Sequence, residues 1–92
     1  MKLGKTEKQP ADVLDYDVDY AAWLRDNETL SQASVTVSPA GLVLDAQAVA
    51  NPIVKVWLSG GTAGGRYKVE VTATTSMGVV RQDEFIVAVK EY

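Results

Sequence analysis

The chain has 92 residues, 47% of them hydrophobic and 23% charged, with a net charge of −3; that is the size and composition of one globular domain with its own core. It holds no cysteine and no histidine, which excludes disulfides, thiolate metal sites and any Ser-His-Asp or Cys-His nucleophilic mechanism. The acidic balance is the opposite of the basic surface that phosphate neutralisation needs, and the apolar runs are too short for a membrane-spanning helix, so neither nucleic acid nor membrane is expected as a partner.

Residues 1–11 are expected to form a flexible N-terminal tail, and residues 12–92 the folded domain. The first nine residues carry Lys2, Lys5 and Lys8 and, beyond Met1, only Leu3 as an apolar group, before Pro10. They show no periodicity and lack the apolar core of a signal peptide. The functional alternative is an arm that orders on a partner.

Residues 13–20, VLDYDVDY, alternate strictly. Leu14, Tyr16, Val18 and Tyr20 fall on one side and Asp15, Asp17 and Asp19 on the other, which is the period of a half-buried strand. Aspartate is a poor strand former, so packing of the tyrosines and Val18 must hold the segment in place. The row of carboxylates raises the question of calcium, which takes several oxygens. Alternate residues on one strand form a line rather than a cage, so a solvated acidic face is expected and no metal or cofactor. Asp19 is suited to cap a short helical turn over residues 20–24, YAAWL. Trp23 and Leu24 would then plug one end of the core, a structural role for Trp23.

Residues 26–28 read as a turn. Residues 29–38 form a second half-buried strand with Ala33, Val35 and Val37 on one face, ended by Pro39-Ala40-Gly41. A short strand follows at 42–45. Residues 46–51 connect it onward without a legible conformation, since their alanines suit helix but the segment is short for one.

Residues 52–59 alternate Val54, Val56 and Leu58 with Lys55, Trp57 and Ser59. With the aliphatics turned to the core, Trp57 faces outward and becomes the best candidate for an apolar contact; local packing is the plain alternative. The glycine-rich run at 60–65 lacks a following helix and any internal basic residue, so it is expected to be a turn with positive φ rather than a phosphate cradle. Residues 66–76 place Tyr67, Val69, Val71 and Ala73 on one face. The chain turns at Met77-Gly78 and returns over 79–90 with Phe85, Val87 and Val89 inward. Ile86 and Ala88 suggest partial cover on the other side.

This spacing of short strands predicts an all-β fold: an immunoglobulin-like or fibronectin III-like antiparallel β-sandwich of about seven strands. Within it, Tyr67 stands where such sandwiches place a tyrosine at the start of the penultimate strand, its hydroxyl bonding back to upstream backbone.

Two segments carry a resemblance to a known family. One is VLDYDVDYAAWL at 13–24. The other is VWLSGGTAGGRYKVEVTATTS at 56–76, with the terminal strand. Together they resemble the small immunoglobulin-like phage proteins called fibre–tail adaptors, found in tailed phages and prophages. Asp15, Tyr16, Asp17, Val18, Asp19, Tyr20, Trp23 and Leu24 fit the acidic strand and its W-L. Val56 to Gly64, then Tyr67 and Val69, fit the V-W-L-S-G-G-T-A-G and Y-x-V elements. Tyr20 stands where the family pattern has tryptophan.

The resemblance implies a virion tail component assembled in the bacterial host cytoplasm, without enzymatic activity or catalytic residues. Its partners would be other phage tail proteins, with self-association in symmetric copies as a further expectation. Asp15, Asp17, Asp19 and Trp57 are the candidate contact surface. The alternative is a surface- or carbohydrate-binding immunoglobulin-like module, with Trp57 and Tyr92 as its aromatics. An enzyme is not expected, because no general base pair stands beyond one strand face.

Overall fold

A computed structural model describes residues 2–92, Lys2 through its backbone only. Among these residues the regular structure is seven strands: β1 (Lys2–Lys8), β2 (Leu14–Asp19), β3 (Leu30–Ser38), β4 (Leu42–Ala50), β5 (Ile53–Gly60), β6 (Arg66–Thr75) and β7 (Val80–Val89). They form two sheets, one ordered β2-β5-β4 and the other β1-β7-β6-β3. Second, fifth and fourth strands against third, sixth and seventh is the strand partition of an immunoglobulin-like sandwich.

The alternating strands explain the two layers. On β5, Val54, Val56 and Leu58 are fully buried, and so are Val69 and Val71 of β6 and Val87 of β7. These six side chains meet between the sheets, and each stabilises the fold by about 1.5–3 kcal/mol. Register follows from the same pattern. Leu14, Tyr16 and Val18 lie opposite Leu58, Val56 and Val54, and a slip of one residue would turn the aspartates of β2 into the core.

The chain crosses between sheets at 60–65. Gly61 has φ +93, and a Cβ there would lie 2.6 Å from Val89 Cγ2, so both backbone conformation and space require glycine. The crossing is pinned by N–H bonds from Gly64 to the Val89 carbonyl (2.8 Å) and from Gly65 to the Thr62 carbonyl (2.8 Å).

The structure departs from the sequence reading in three places. Residues 2–8 of the expected tail form β1, which runs beside β7 with Lys5, Thr6, Glu7 and Lys8 opposite Ile86 to Val89. An edge strand can be polar because its backbone pairs on one side while most of its side chains stay in water, so an apolar-period test passes over it. That pair is parallel, so the sandwich is not wholly antiparallel. Third, β4 continues through the segment whose conformation the sequence left open. A register shift between Leu44 and Ala46 marks a bulge at Asp45. It reverses the alternation, so Leu42 and Leu44, then Gln47 and Val49, share the inner side.

Residues 20–24 do form a single helical turn. Leu24 N–H bonds the Tyr20 carbonyl at 3.0 Å, and Asp19 Oδ1 accepts the Ala21 N–H at 2.8 Å.

Candidate interaction face

The outer surface of the three-stranded sheet is assembled by register. Asp15, Trp57 and Ala46 lie side by side across β2, β5 and β4; Asp17, Lys55 and Ala48 form the next row, and Asp19, Ile53 and Ala50 the third. All four candidate contact residues, Asp15, Asp17, Asp19 and Trp57, therefore fall on one face. Residues that alternate along one strand are delivered to the same side as their cross-strand partners.

Lys55 is the hub of this face. Its Nζ lies 2.9 Å from Asp15 Oδ2 and 2.9 Å from Asp17 Oδ1. It also sits 5.7 Å from the centroid of the Trp57 ring, within cation–π range. The hydrogen bond and charge of Lys55 hold the Asp15 carboxyl below its usual range. Asp17, then Asp15, push the lysine up in return. These groups are solvated, so the pairs add little to stability. Their effect is to fix charge beside the indole. An ammonium fills the place between Asp15 and Asp17 that a cation would take. Asp19 differs from its two neighbours, because its carboxylate is used in capping the following turn.

Trp57 itself is half-buried. It lines a shallow depression of about 410 Å³ with Val13, Asp45, Ala46 and Ser59. Val13 is 66% exposed and Val43, nearby on β4, 50%. The face thus combines an apolar centre with four aspartates (Asp15, Asp17, Asp19, Asp45) against one lysine.

Tyr67 and Trp23 lie elsewhere. Tyr67, at the start of β6, is 4% exposed. Its hydroxyl accepts the Thr62 N–H at 3.0 Å, the geometry of a tyrosine corner. Trp23 is half-buried at one end of the sandwich. It meets Tyr20 edge-on at 5.9 Å, and the Arg81 guanidinium stands 4.9 Å from its ring centroid. Arg81 Nε in turn bonds both oxygens of Asp83, at 3.2 and 3.1 Å. The Tyr20 hydroxyl is buried without a well-formed hydrogen bond. Burial, then the charge of Asp83, push its pKa up.

Several organising residues escaped the sequence reading. Lys8, Glu28 and Asp83 are buried charges. Lys8 Nζ donates to the carbonyls of Gln9 (2.7 Å) and Gly60, tying β1 to β5. Glu28 accepts from the Thr75 hydroxyl (2.7 Å) and the Arg25 N–H (3.0 Å). No motif marks them; only the alternation of β7 offered a hint, by placing Asp83 on its inward side. Tyr92, the other aromatic of the carbohydrate-binding alternative, is 79% exposed and donates to Glu7 beside β1. It belongs to the edge of the four-stranded sheet, so it forms no joint platform with Trp57.

Strand order, core and the corner at Tyr67 define the class: an immunoglobulin-like β-sandwich with a flat, acidic, tryptophan-bearing outer face. The chain belongs to the family described as podophage GP4 fiber-tail adaptor protein gp77, whose model matches residues 8–88. Membership gives it a structural role in a phage tail. No curated protein matches the chain.

Proposed function

We propose that the chain is a non-enzymatic adaptor that joins tail and fibre proteins by protein–protein contact, using the outer face of the three-stranded sheet. The observation that carries this reading is the row Asp15–Trp57–Ala46, which sets a half-buried indole between a carboxylate and an open apolar strip. Tryptophan gives large contact area at small entropic cost and dominates many interfaces when a ring of polar groups excludes water around it. The surrounding aspartates select the partner. It presents lysine or arginine side chains around an apolar protrusion, since opposite potentials steer encounter and like charges penalise the wrong partner.

Neither nucleic acid nor a membrane is a partner in this reading. No described helix is long and apolar enough to cross a membrane. Assembly takes place in the host cytoplasm before the particle is complete. The test is an electron-microscopic reconstruction of the assembled tail. This reading expects the outer face of the three-stranded sheet to be covered by a neighbouring chain. A reconstruction in which Trp57 faces solvent, or in which the chain never enters particles, overturns it.

A further inference from the structure

The two sheets end in four edge strands, β1 and β3 on one and β2 and β4 on the other. Proteins protect such edges, because a row of unpaired backbone groups recruits any strand that reaches it. β1 carries charges along its length, and β2 carries three aspartates. β3 is met by side chains from the β4 side: Gln47 Nε2 donates to the Ala33 carbonyl at 2.8 Å, and Asn51 Oδ1 accepts the Leu30 N–H at 2.8 Å. β4 differs. Beyond the bulge at Asp45 its sequence is Ala46-Gln47-Ala48-Val49-Ala50, with no charge and no proline, and all five residues are exposed.

We propose that this edge pairs with itself: two copies join antiparallel through residues 46–50 about a two-fold axis at Ala48, making one six-stranded sheet. Within β4 the bulge breaks the phase, so an axis that matches faces over five residues must lie beyond it. Ala46, Ala48 and Ala50 point outward and Gln47 and Val49 inward. An axis at Ala48 sets Ala46 against Ala50 of the second copy and Gln47 against Val49, so outward meets outward and inward meets inward. Moving the axis to Ala46 sets Val43 against Val49, which lie on opposite sides because of the bulge. The charges agree as well. With the axis at Ala48, Asp45 falls beside Asn51 of the second copy rather than beside its own counterpart. The aspartates of β2 lie on the far edge of each sheet, away from the axis, so the acidic rows do not oppose each other. The contact is isologous and closes at two copies.

Pairing leaves Trp57 uncovered. Its row continues across the axis into Ala50 and Ile53 of the second copy, so two Trp57 faces lie on one surface and could engage a repeating partner bivalently. The self-pairing does not rest on Trp57 being the adaptor contact, and its test is separate. Light scattering over a concentration series on the full chain measures the mass. A dimer is expected, and A48K, which sets two ammoniums against each other at the axis, raises its dissociation constant about tenfold or more. Because the chain has no cysteine, A48C supplies a unique thiol that stands opposite itself at a separation a disulfide spans. Mild oxidation is expected to give a covalent dimer with A48C and none with T72C, on the outer face of the other sheet. A monomer at every concentration, a dimer that A48K leaves intact, or equal cross-linking at both positions overturns the proposal. Should A48K fail to fold, the two cysteine variants decide it.

Discussion

Tyr67 shows how one hydroxyl can hold a crossing in place. It accepts the Thr62 N–H inside the glycine run, and a Cβ on Gly65 would lie 2.9 Å from its oxygen. Chain and ring are therefore fitted to one another. Tyr67→Phe keeps the ring and leaves that amide without its acceptor, so it is expected to destabilise by about 1–2 kcal/mol. Urea denaturation checks this; an unchanged midpoint would mean that the bond contributes nothing. Glu28 is the buried carboxyl among the groups expected to set the pH dependence. The Arg25 N–H, then the Thr75 hydroxyl, hold its carboxyl below the ordinary value of 4.5. Glu7, beside Lys90 and Tyr92, and Asp15, beside Lys55, are lowered in the same way. A carboxyl with a depressed folded pKa stabilises fully above its unfolded pKa, and that contribution is lost as pH falls through the folded value. The melting temperature should therefore fall as the pH drops below about 4.5. Glu28→Gln should be less stable at neutral pH and show a shallower acid decline. Parallel curves for the two proteins would remove Glu28 from this role. Tyr67 was legible in the sequence because the fold type prescribes it. Glu28 was not, since a glutamate in a polar turn looks solvated until the fold closes over it.

At the scale of elements, the strands that face the core announce themselves and the edges do not. β2, β5, β6 and β7 turn alternate aliphatic or aromatic residues toward the other sheet, and their periods are plain in the sequence. β4 hides half its length because the bulge at Asp45 breaks the phase of its alternation. β1 hides because Thr6 and Lys8, which turn inward, are polar, and Leu3, which lines a depression with Tyr16, Val18 and Phe85, is its one apolar side chain. Lys8 is nonetheless 2% exposed, with its Nζ on the Gln9 and Gly60 carbonyls and its carbonyl accepting the Lys90 N–H at 2.9 Å. Lys8→Met keeps the stem but leaves the Gly60 carbonyl without its donor. The expected loss is about 1–3 kcal/mol, read from chemical denaturation with amide exchange over β1 and β7. Unchanged stability and unprotected amides in β1 would mean that the segment is the free tail its composition suggests.

At the scale of the whole molecule, the two outer surfaces of the sandwich differ in composition. The four-stranded sheet carries Lys68 paired with Glu70 and outward threonines at 72 and 74, an ordinary solvated surface. The three-stranded sheet concentrates aspartates around Trp57. That concentration was legible because period two sends Asp15, Asp17, Asp19 and Trp57 to known sides of their strands. Their meeting on one face was not, because strand order in space is absent from a linear pattern. Lys55, which binds two of the aspartates and covers the indole, emerges only once β2 and β5 are side by side. The claim that this face is the adaptor contact is tested most directly by Trp57→Ala, compared with Thr72→Ala on the other sheet, in co-purification with the neighbouring tail and fibre proteins. With both variants folded, Trp57→Ala is expected to lose about 2 kcal/mol or more of binding, thirtyfold in affinity, and Thr72→Ala to bind as the parent does. Unchanged capture by Trp57→Ala would place the contact elsewhere on the molecule.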